Sequence, residues 1–233
     1  MVHTQPDGAR AQERSGPDFR HDDNYGGAHS IDFFQPDSAE ASSEWSSSYQ
    51  VAYTIDGSGR TAEATAQLEP GIYSLECWVK NASGDILISH GMIRELTVTE
   101  EDSGASRPTA DVQIDLGSDG IVMRDPLGRG RQTVALQLEE GESGRPVHND
   151  VHLIRIAEDT DLAEVAAWLE WYDVERGLRE PAPADFLGGF HAYGTMPPEG
   201  RAWFTLDVDQ AGRYAWIVQA DPEDERWKLV DVD

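Results

Sequence analysis

The sequence predicts an all-β protein that contains one helix. Apolar and polar residues alternate over residues 49–55 and again over 134–138, which is typical of half-buried strands. Turn signals built on glycine or proline separate such runs, and Pro70-Gly71 and the Asp-Gly-Ser-Gly run at 56–59 are two of them. Short alternating strands broken by frequent turns indicate a β-sandwich.

Composition divides the chain into four segments. Residues 1–28 are polar and carry scattered glycines and prolines without apolar periodicity, which predicts an extended or disordered N-terminal arm. If the arm is ordered, we expect it to lie across the surface of a partner. The polar stretch 101–108 ends in proline and predicts a linker between a first β-domain at 29–100 and a second at 109–233.

The charge of the chain excludes several classes of partner. With 44 Asp and Glu against 18 Lys and Arg, the formal net charge is -26, which is opposite to the footprint of nucleic-acid binding and would repel anionic lipid. No apolar run has the length of a membrane span, and no signal-peptide core is visible, so we expect a cytosolic protein or a mature exported one. The single cysteine, Cys77, excludes an intramolecular disulfide.

One helix is predicted at about 160–177, inside the second domain. Apolar residues recur at helical spacing over 162–172, Thr160 with Glu164 close behind approximates an N-terminal cap, and Gly177 is a credible stop. Two tryptophans of this segment, Trp168 and Trp171, widen the apolar face. They belong either to the core or to a surface that binds a protein partner.

The stretch 68–98 is the most informative part of the chain. A Pro-Gly turn runs into a strand, Gly71-Ile-Tyr-Ser-Leu-Glu-Cys77, whose pattern returns as Gly212-Arg-Tyr-Ala-Trp-Ile-Val218 near the C-terminus. After the first copy come His90, the Gly-Met pair that ends at Met92, and a closing Leu-x-Val strand. The second copy has neither the cysteine nor a His-x-Met sequence.

The first copy resembles the C-terminal half of a cupredoxin, the fold of plastocyanin and azurin. In that family a cysteine thiolate, a histidine in the following loop, a methionine just past it and an upstream histidine hold a blue copper ion. By position, Cys77 matches the cysteine and Met92 the methionine, whereas the family's histidine falls near Leu87 and His90 stands two residues before the methionine. The resemblance implies a vestigial metal site at Cys77, His90 and Met92, and it implies no bound cofactor in the present protein.

Most of residues 108–233 also resembles a group of bacterial and archaeal cupredoxin-like proteins. The matching motifs are Val-His-Asn-Asp at 147–150, Ala-Trp-Leu at 167–169, a predicted Phe-Leu-Gly-Gly loop at 186–189 and Gly-Arg-Tyr at 212–214. The resemblance implies two degenerate cupredoxin-like Greek-key β-sandwich domains in tandem, the second without copper ligands. Its upstream histidine falls near His148 or Asn149, and the spacing of His148 and His152 is more typical of surface residues than of ligands.

These observations favour a non-catalytic interaction protein. The chain has no nucleophile-elbow, P-loop or dinucleotide-binding glycine pattern, so we do not expect an enzyme. The resemblance implies a peripheral accessory subunit of a larger extracytoplasmic, periplasmic or cell-surface assembly, with electron-transfer complexes as one class. Its partners would then be other protein subunits, among them those of a membrane-bound redox complex.

Two other functions stay open from the sequence. One is a mononuclear copper protein for electron transfer that uses Cys77, His90 and Met92 with an upstream histidine such as His29. The other is a secreted ligand-binding module that uses exposed aromatic rings such as those of Trp168, Trp171 or Trp203. The acidic composition also suits the cytoplasm of a halophile, which is the alternative to an extracytoplasmic location.

Overall fold

In a computed structural model, the chain forms two β-sheets that pack face to face, with one α-helix. The structure describes residues 70–99, 106–139, 150–170, 173, 175–192, 201–218 and 227–233, together with the backbones of five strands before residue 70. Within these residues the only α-helix is α1 (Leu162–Trp168). The predicted fold class, an all-β sandwich with one inserted helix, is confirmed.

The strands of the two sheets come from along the whole chain. The smaller sheet has the order β1-β5-β13-β10-β8-β9 and the larger sheet the order β15-β14-β11-β12-β4-β3-β6-β7-β2. The described strands are β1 (His3–Thr4), β2 (Arg10–Gln12), β3 (His29–Pro36), β4 (Ser48–Asp56), β5 (Glu63–Ala66), β6 (Gly71–Glu76), β7 (Ile93–Thr99), β8 (Val112–Gly117), β9 (Gly120–Met123), β10 (Gly130–Leu138), β11 (Asp150–Arg155), β12 (Asp185–Ala192), β13 (Arg201–Val208), β14 (Gly212–Ile217) and β15 (Trp227–Val232).

Both sheets cross the predicted domain boundary. In the larger sheet β12 pairs antiparallel with β4, and in the smaller sheet β13 pairs antiparallel with β5. Composition marks a polar stretch such as 101–108 but carries no information on pairing between distant strands. The division into two domains therefore stays a prediction about folding units, while the sheets themselves contain strands from both.

The predicted N-terminal arm contributes two short strands to this framework. β1 pairs in parallel with β5, and β2 pairs antiparallel with β7. These residues lie on the chain's own sheet edges, whereas an extended or disordered arm over residues 1–28 as a whole stays a prediction. Strands of two or three residues are stabilised by the edge that they join and leave no periodic pattern in the sequence.

Two apolar clusters lie on opposite faces of the larger sheet. The inter-sheet core lies between the sheets and joins side chains of both, such as Val134 and Phe204 from the smaller sheet and Leu153 and Trp216 from the larger. The outer core lies on the other face of the larger sheet, where α1 and the connecting segments cover it. Its members are Cys77, Val79, Leu87, Ile154, Val165, Ala166, Trp168, Leu169, Leu178, Phe186, Ala215 and Ile217.

The helix is shorter than the sequence predicts. α1 begins after Asp161, whose carboxylate accepts hydrogen bonds from the N–H groups of Ala163 and Glu164, so the cap is Asp161 and not the predicted Thr160. The helix ends at Trp168 and not near residue 177. Its last carbonyl, that of Trp168, accepts a hydrogen bond of 2.7 Å from the N–H of Leu178, which turns the chain back. This return is a tertiary contact that helical periodicity does not report.

The Phe-Leu-Gly-Gly motif lies in a strand, whereas the sequence predicts a loop there. β12 spans Asp185–Ala192, and its register against β11 shifts beside Gly188, where φ is 141°. A Cβ on Gly189 would collide with the ring of His152 and the carbonyl of Val151. Glycine inside a strand often marks a bulge or a close approach of neighbouring groups, and both occur here.

The repeated motif forms two matching hairpins. β6 pairs antiparallel with β7, and β14 pairs antiparallel with β15, so both copies of the Gly-x-Tyr pattern are strands as predicted. In the second copy the buried Tyr214 donates a hydrogen bond of 2.7 Å to the carbonyl of Gln210.

Among the residues that the structure describes, none of the helices has the length and apolar character of a membrane span.

Candidate functional site

The segment between β6 and β7 holds all three predicted metal ligands. A short 3-10 helix, Leu87–His90, folds back on the residues that follow β6. The N–H of Cys77 donates to the carbonyl of Met92 at 3.1 Å, and the N–H of Ile88 donates to the carbonyl of Cys77 at 3.0 Å. The backbone thus places Cys77 beside Met92, while a role of the two residues as ligands of one metal stays a prediction.

The surroundings of Cys77 are those of a packed core. Its side chain is 3% exposed, and Leu87, at the position where the cupredoxin pattern has a histidine, is 2% exposed in the same outer core. Met92 is half-buried and packs against that core. A leucine side chain has no atom that binds a metal, and a thiol in apolar surroundings is a poor nucleophile because burial disfavours the thiolate.

Cys77 is buried, whereas His90 is exposed. Its side chain is 54% exposed, and its Nε2 lies 3.9 Å from a carboxylate oxygen of Asp85. Gly91, with φ of 93°, ends the 3-10 helix directly after it. Among the described residues, no group of three or more His, Cys, Asp and Glu side chains is placed to hold a metal ion. The side chains of His29 and His148 lie outside the described residues.

The tryptophans that the sequence predicts as binding residues lie in different environments. Trp168 is 6% exposed, its ring lies 5.1 Å from that of Phe186, and its Nε1 donates a hydrogen bond of 2.6 Å to the carbonyl of Arg179. Trp203 is half-buried on the smaller sheet, with the guanidinium of Arg107 5.8 Å from its ring centre. Trp171 lies outside the described residues. The ring of Trp168 is therefore a core group, which is one of the two placements that the sequence left open.

A buried pair of polar side chains was missed from the sequence. Asp150 and His152 are both fully buried, and Nε2 of His152 lies 3.3 Å from a carboxylate oxygen of Asp150. The expected surface position of His152 is therefore wrong. In β11 these two residues alternate with Val151 and Leu153, which face the inter-sheet core, so the polar pair lies on the opposite face of the larger sheet.

The reason for the error is that β11 is covered on both faces. On one face, Val151 and Leu153 lie in the inter-sheet core. On the other face, the ring of Phe186 from the outer core packs against His152 with ring centres 6.2 Å apart. A polar residue that alternates with apolar ones normally indicates solvent on its side of a strand. Gly189, where a Cβ would meet the ring of His152, is the one sequence signal that pointed to a close approach.

Lys80 is a second buried polar group that the sequence analysis did not single out. It is 6% exposed, and its Nζ donates hydrogen bonds to the carbonyls of Gly177 at 2.6 Å and Asp173 at 3.2 Å. Its backbone is held by Leu178, whose carbonyl accepts from the Lys80 N–H at 2.8 Å. The chain contains two lysines, and this rarity was the only signal in the sequence.

Burial and neighbouring charges act on the titration of this contact. Burial lowers the pKa of Lys80 from its ordinary value of 10.5, the Asp173 carboxylate opposes that shift, and the Arg179 guanidinium adds to it. Backbone N–H groups of Arg176 and Glu175 donate to the Asp173 carboxylate and lower the pKa of Asp173. Lys80 thus connects the segment after β6 to the turn after α1. Burial disfavours the charged form of its ammonium group.

Comparisons with known proteins do not assign a family. No protein family and no curated protein matches the chain. A solved structure of auracyanin B aligns with a TM-score of 0.38 at 13% sequence identity, covering 56% of this chain and 95% of that chain. This likeness is too distant to assign a function.

Proposed function

We propose that this chain is a non-catalytic interaction protein that serves as an accessory subunit of a larger extracytoplasmic assembly. The observation that carries the proposal is the packing of the segment around Cys77. Leu87 fills the position of a ligand, Cys77 is buried beside it, and His90 faces solvent against Asp85. This segment contributes to the packing of the outer core. We therefore expect the partner to bind to the surface of the sandwich.

The charge of the chain indicates the kind of partner surface. A net charge of -26 produces a long-range field that accelerates association with cationic surfaces and disfavours anionic ones. We therefore expect the partner to be a protein with a cationic docking face. Such an association weakens as salt is added, because the Debye length falls to about 3 Å at 1 M ionic strength.

The experiment is purification of the full chain at its native level, followed by gel filtration in low and high salt. At low salt the chain is expected to elute well above its own mass of 25.7 kDa with a second protein in fixed ratio, and high salt is expected to release it. A chain that is always free and monomeric would contradict the proposal. A complex that resists high salt would instead reject the cationic docking face while leaving the accessory role in place.

A mononuclear copper centre at Cys77, His90 and Met92 is the second candidate function. The backbone pairing of Cys77 with Met92 favours it, because two soft ligands of a copper site are already adjacent. It requires His90 to leave Asp85 and turn inward. Electron paramagnetic resonance of the Cu(II)-loaded protein separates the two functions: a copper centre predicts a signal that His90→Ala alters, whereas the interaction protein predicts the same signal from both forms.

A further inference from the structure

A surface pocket lies where β11 ends and β12 begins. Its volume is about 430 Å³, within the range of small-molecule sites. The walls come from the end of β11, from residues 156–160 that lead into α1, and from residues 183–185 that lead into β12. The pocket is remote in sequence from the segment around Cys77.

The pocket is lined by charged side chains of both signs. Arg155 and Asp185 are directly opposite across β11 and β12, and Asp159 lines the same pocket. Within the described part of the chain, neither Arg155 nor Asp159 makes a hydrogen bond or an ion pair through its side chain. In contrast, the exposed Arg213 on β14 does pair with Asp231, at 3.4 Å.

The walls are fixed before any ligand arrives. The N–H of Ala157 donates to the hydroxyl of Thr160 at 2.9 Å, and the N–H of Thr160 donates back to the carbonyl of Ala157 at 3.3 Å. The N–H of Ile156 donates to the carbonyl of Arg213 at 3.0 Å. These bonds close the turn before α1, so a ligand would not have to order this part of its binding site.

Part of the lining is apolar. Ile156 and Ala184 are half-buried and pack against the outer core, and Pro183 lies beside Ala184 in the wall. Such a wall suits a hydrocarbon group on the ligand. A purely anionic ligand would face two aspartates and the net negative charge of the chain, and a purely cationic ligand would leave Arg155 without a partner.

We propose that this pocket binds a small zwitterion with an apolar body, of the chemical class of the hydrophobic α-amino acids. The guanidinium of Arg155 binds the carboxylate, since its planar fork matches two carboxylate oxygens. Asp159 binds the ammonium, and the hydrocarbon side chain lies on Ile156 and Pro183. The site is independent of the proposed accessory role, because it needs no protein partner.

Binding of L-leucine to the full chain by equilibrium dialysis tests the proposal. The matched probes are 4-methylpentanoate, which has the carboxylate without the ammonium, and 3-methylbutylamine, which has the ammonium without the carboxylate. We expect saturable binding of leucine and affinities at least about tenfold weaker for each single-charge probe, a difference of about 1.4 kcal/mol. Absence of saturable leucine binding up to about 10 mM would overturn the proposal.

Two variants and one control assign the binding to this pocket. Arg155→Gln and Asp159→Asn are each expected to weaken leucine binding at least about tenfold while the far-ultraviolet circular dichroism stays unchanged. Arg124→Gln, at an exposed arginine that pairs with Asp115 on the smaller sheet, is expected to bind like the parent protein. If Arg155→Gln does not fold, Asp159→Asn still decides the matter, since Asp159 is exposed. Unweakened leucine binding by Asp159→Asn would overturn the proposal.

Discussion

The inter-sheet core and the outer core, on opposite faces of the larger sheet, are built on different principles. Buried side chains of the inter-sheet core are apolar or aromatic, and Nε1 of Trp216 is buried there without a hydrogen-bond partner in the described part of the chain. The outer core is bordered by buried polar groups, those of Glu76, Lys80, Asp150 and His152. The inter-sheet core is held mainly by apolar area and shape, with the hydrogen bond from Tyr214 to Gln210 at its margin, whereas the outer core depends on several buried polar groups.

This difference has a physical consequence for specificity. Apolar burial is non-directional, so many arrangements of similar volume have similar energy. A buried polar group that loses its partner is costly, so the polar contacts favour one arrangement. Lys80 illustrates this, because its ammonium reaches the carbonyls of residues nearly a hundred positions away, Asp173 and Gly177. The outer core thereby fixes how α1 and the segment after β6 lie on the sheet.

The largest effect is expected for Trp168→Ala in the outer core. Removing this buried ring should lower the free energy of unfolding by about 3–5 kcal/mol, since it leaves a cavity beside Phe186. Trp168→Phe is the control and should cost less, because most of the apolar contact is kept. Urea denaturation measures both. A loss below about 1 kcal/mol for the alanine variant would indicate a surface ring available to a partner.

An intermediate effect is expected for Asp150→Ala, which leaves His152 buried without that neighbour. We expect a loss of about 1–3 kcal/mol in the free energy of unfolding. In the inter-sheet core, Leu136→Met conserves volume and should cost less than about 1.5 kcal/mol. A double-mutant cycle with His152→Ala should give a coupling energy of at least about 0.5 kcal/mol. Additive losses in that cycle would remove the distinction between the two cores.

The smallest effect is a change in pH dependence caused by Lys80→Met. Burial lowers the pKa of Lys80 in the folded protein below the 10.5 of the unfolded chain. Between these two values the unfolded state binds more protons, so the free energy of unfolding rises with pH, by at most about 1.4 kcal/mol per pH unit. In Lys80→Met the free energy of unfolding should not show this rise with pH.

The other lysine of the chain provides the control for that measurement. Lys228 is exposed on β15, so Lys228→Met should leave the pH dependence unchanged. Urea denaturation of the parent and of both variants from neutral pH to about 10.5 makes the comparison. If the parent protein became less stable than Lys80→Met as the pH rises through this window, burial would not be the dominant influence on Lys80.

Features that depend on neighbours in sequence were the ones that could be predicted. Alternation placed the strands of both Gly-x-Tyr hairpins, and helical spacing placed the start of α1 within two residues of its observed position. The adjacency of Cys77 and Met92 followed from a strand, a loop and a returning strand, all within one short stretch. In each case the determining contacts are local or belong to a single hairpin.

Features that depend on distant segments could not be predicted. The burial of His152 depends on Phe186 and Gly189 from β12, which cover a strand face that its own pattern marks as polar. The end of α1 depends on the bond between Leu178 and Trp168, and the sheets join strands of both predicted domains. The pocket at Arg155 likewise requires two chain segments whose proximity no local pattern encodes.

Optical titration with Cu(II) tests most directly the central claim, that the segment around Cys77 is packed core and not a copper centre. The parent protein and Cys77→Ser are expected to give the same spectrum, without an intense thiolate-to-copper absorption band, because Leu87 closes the position of a ligand and His90 faces solvent. An intense band that saturates at one copper per chain and is absent from Cys77→Ser would contradict this account.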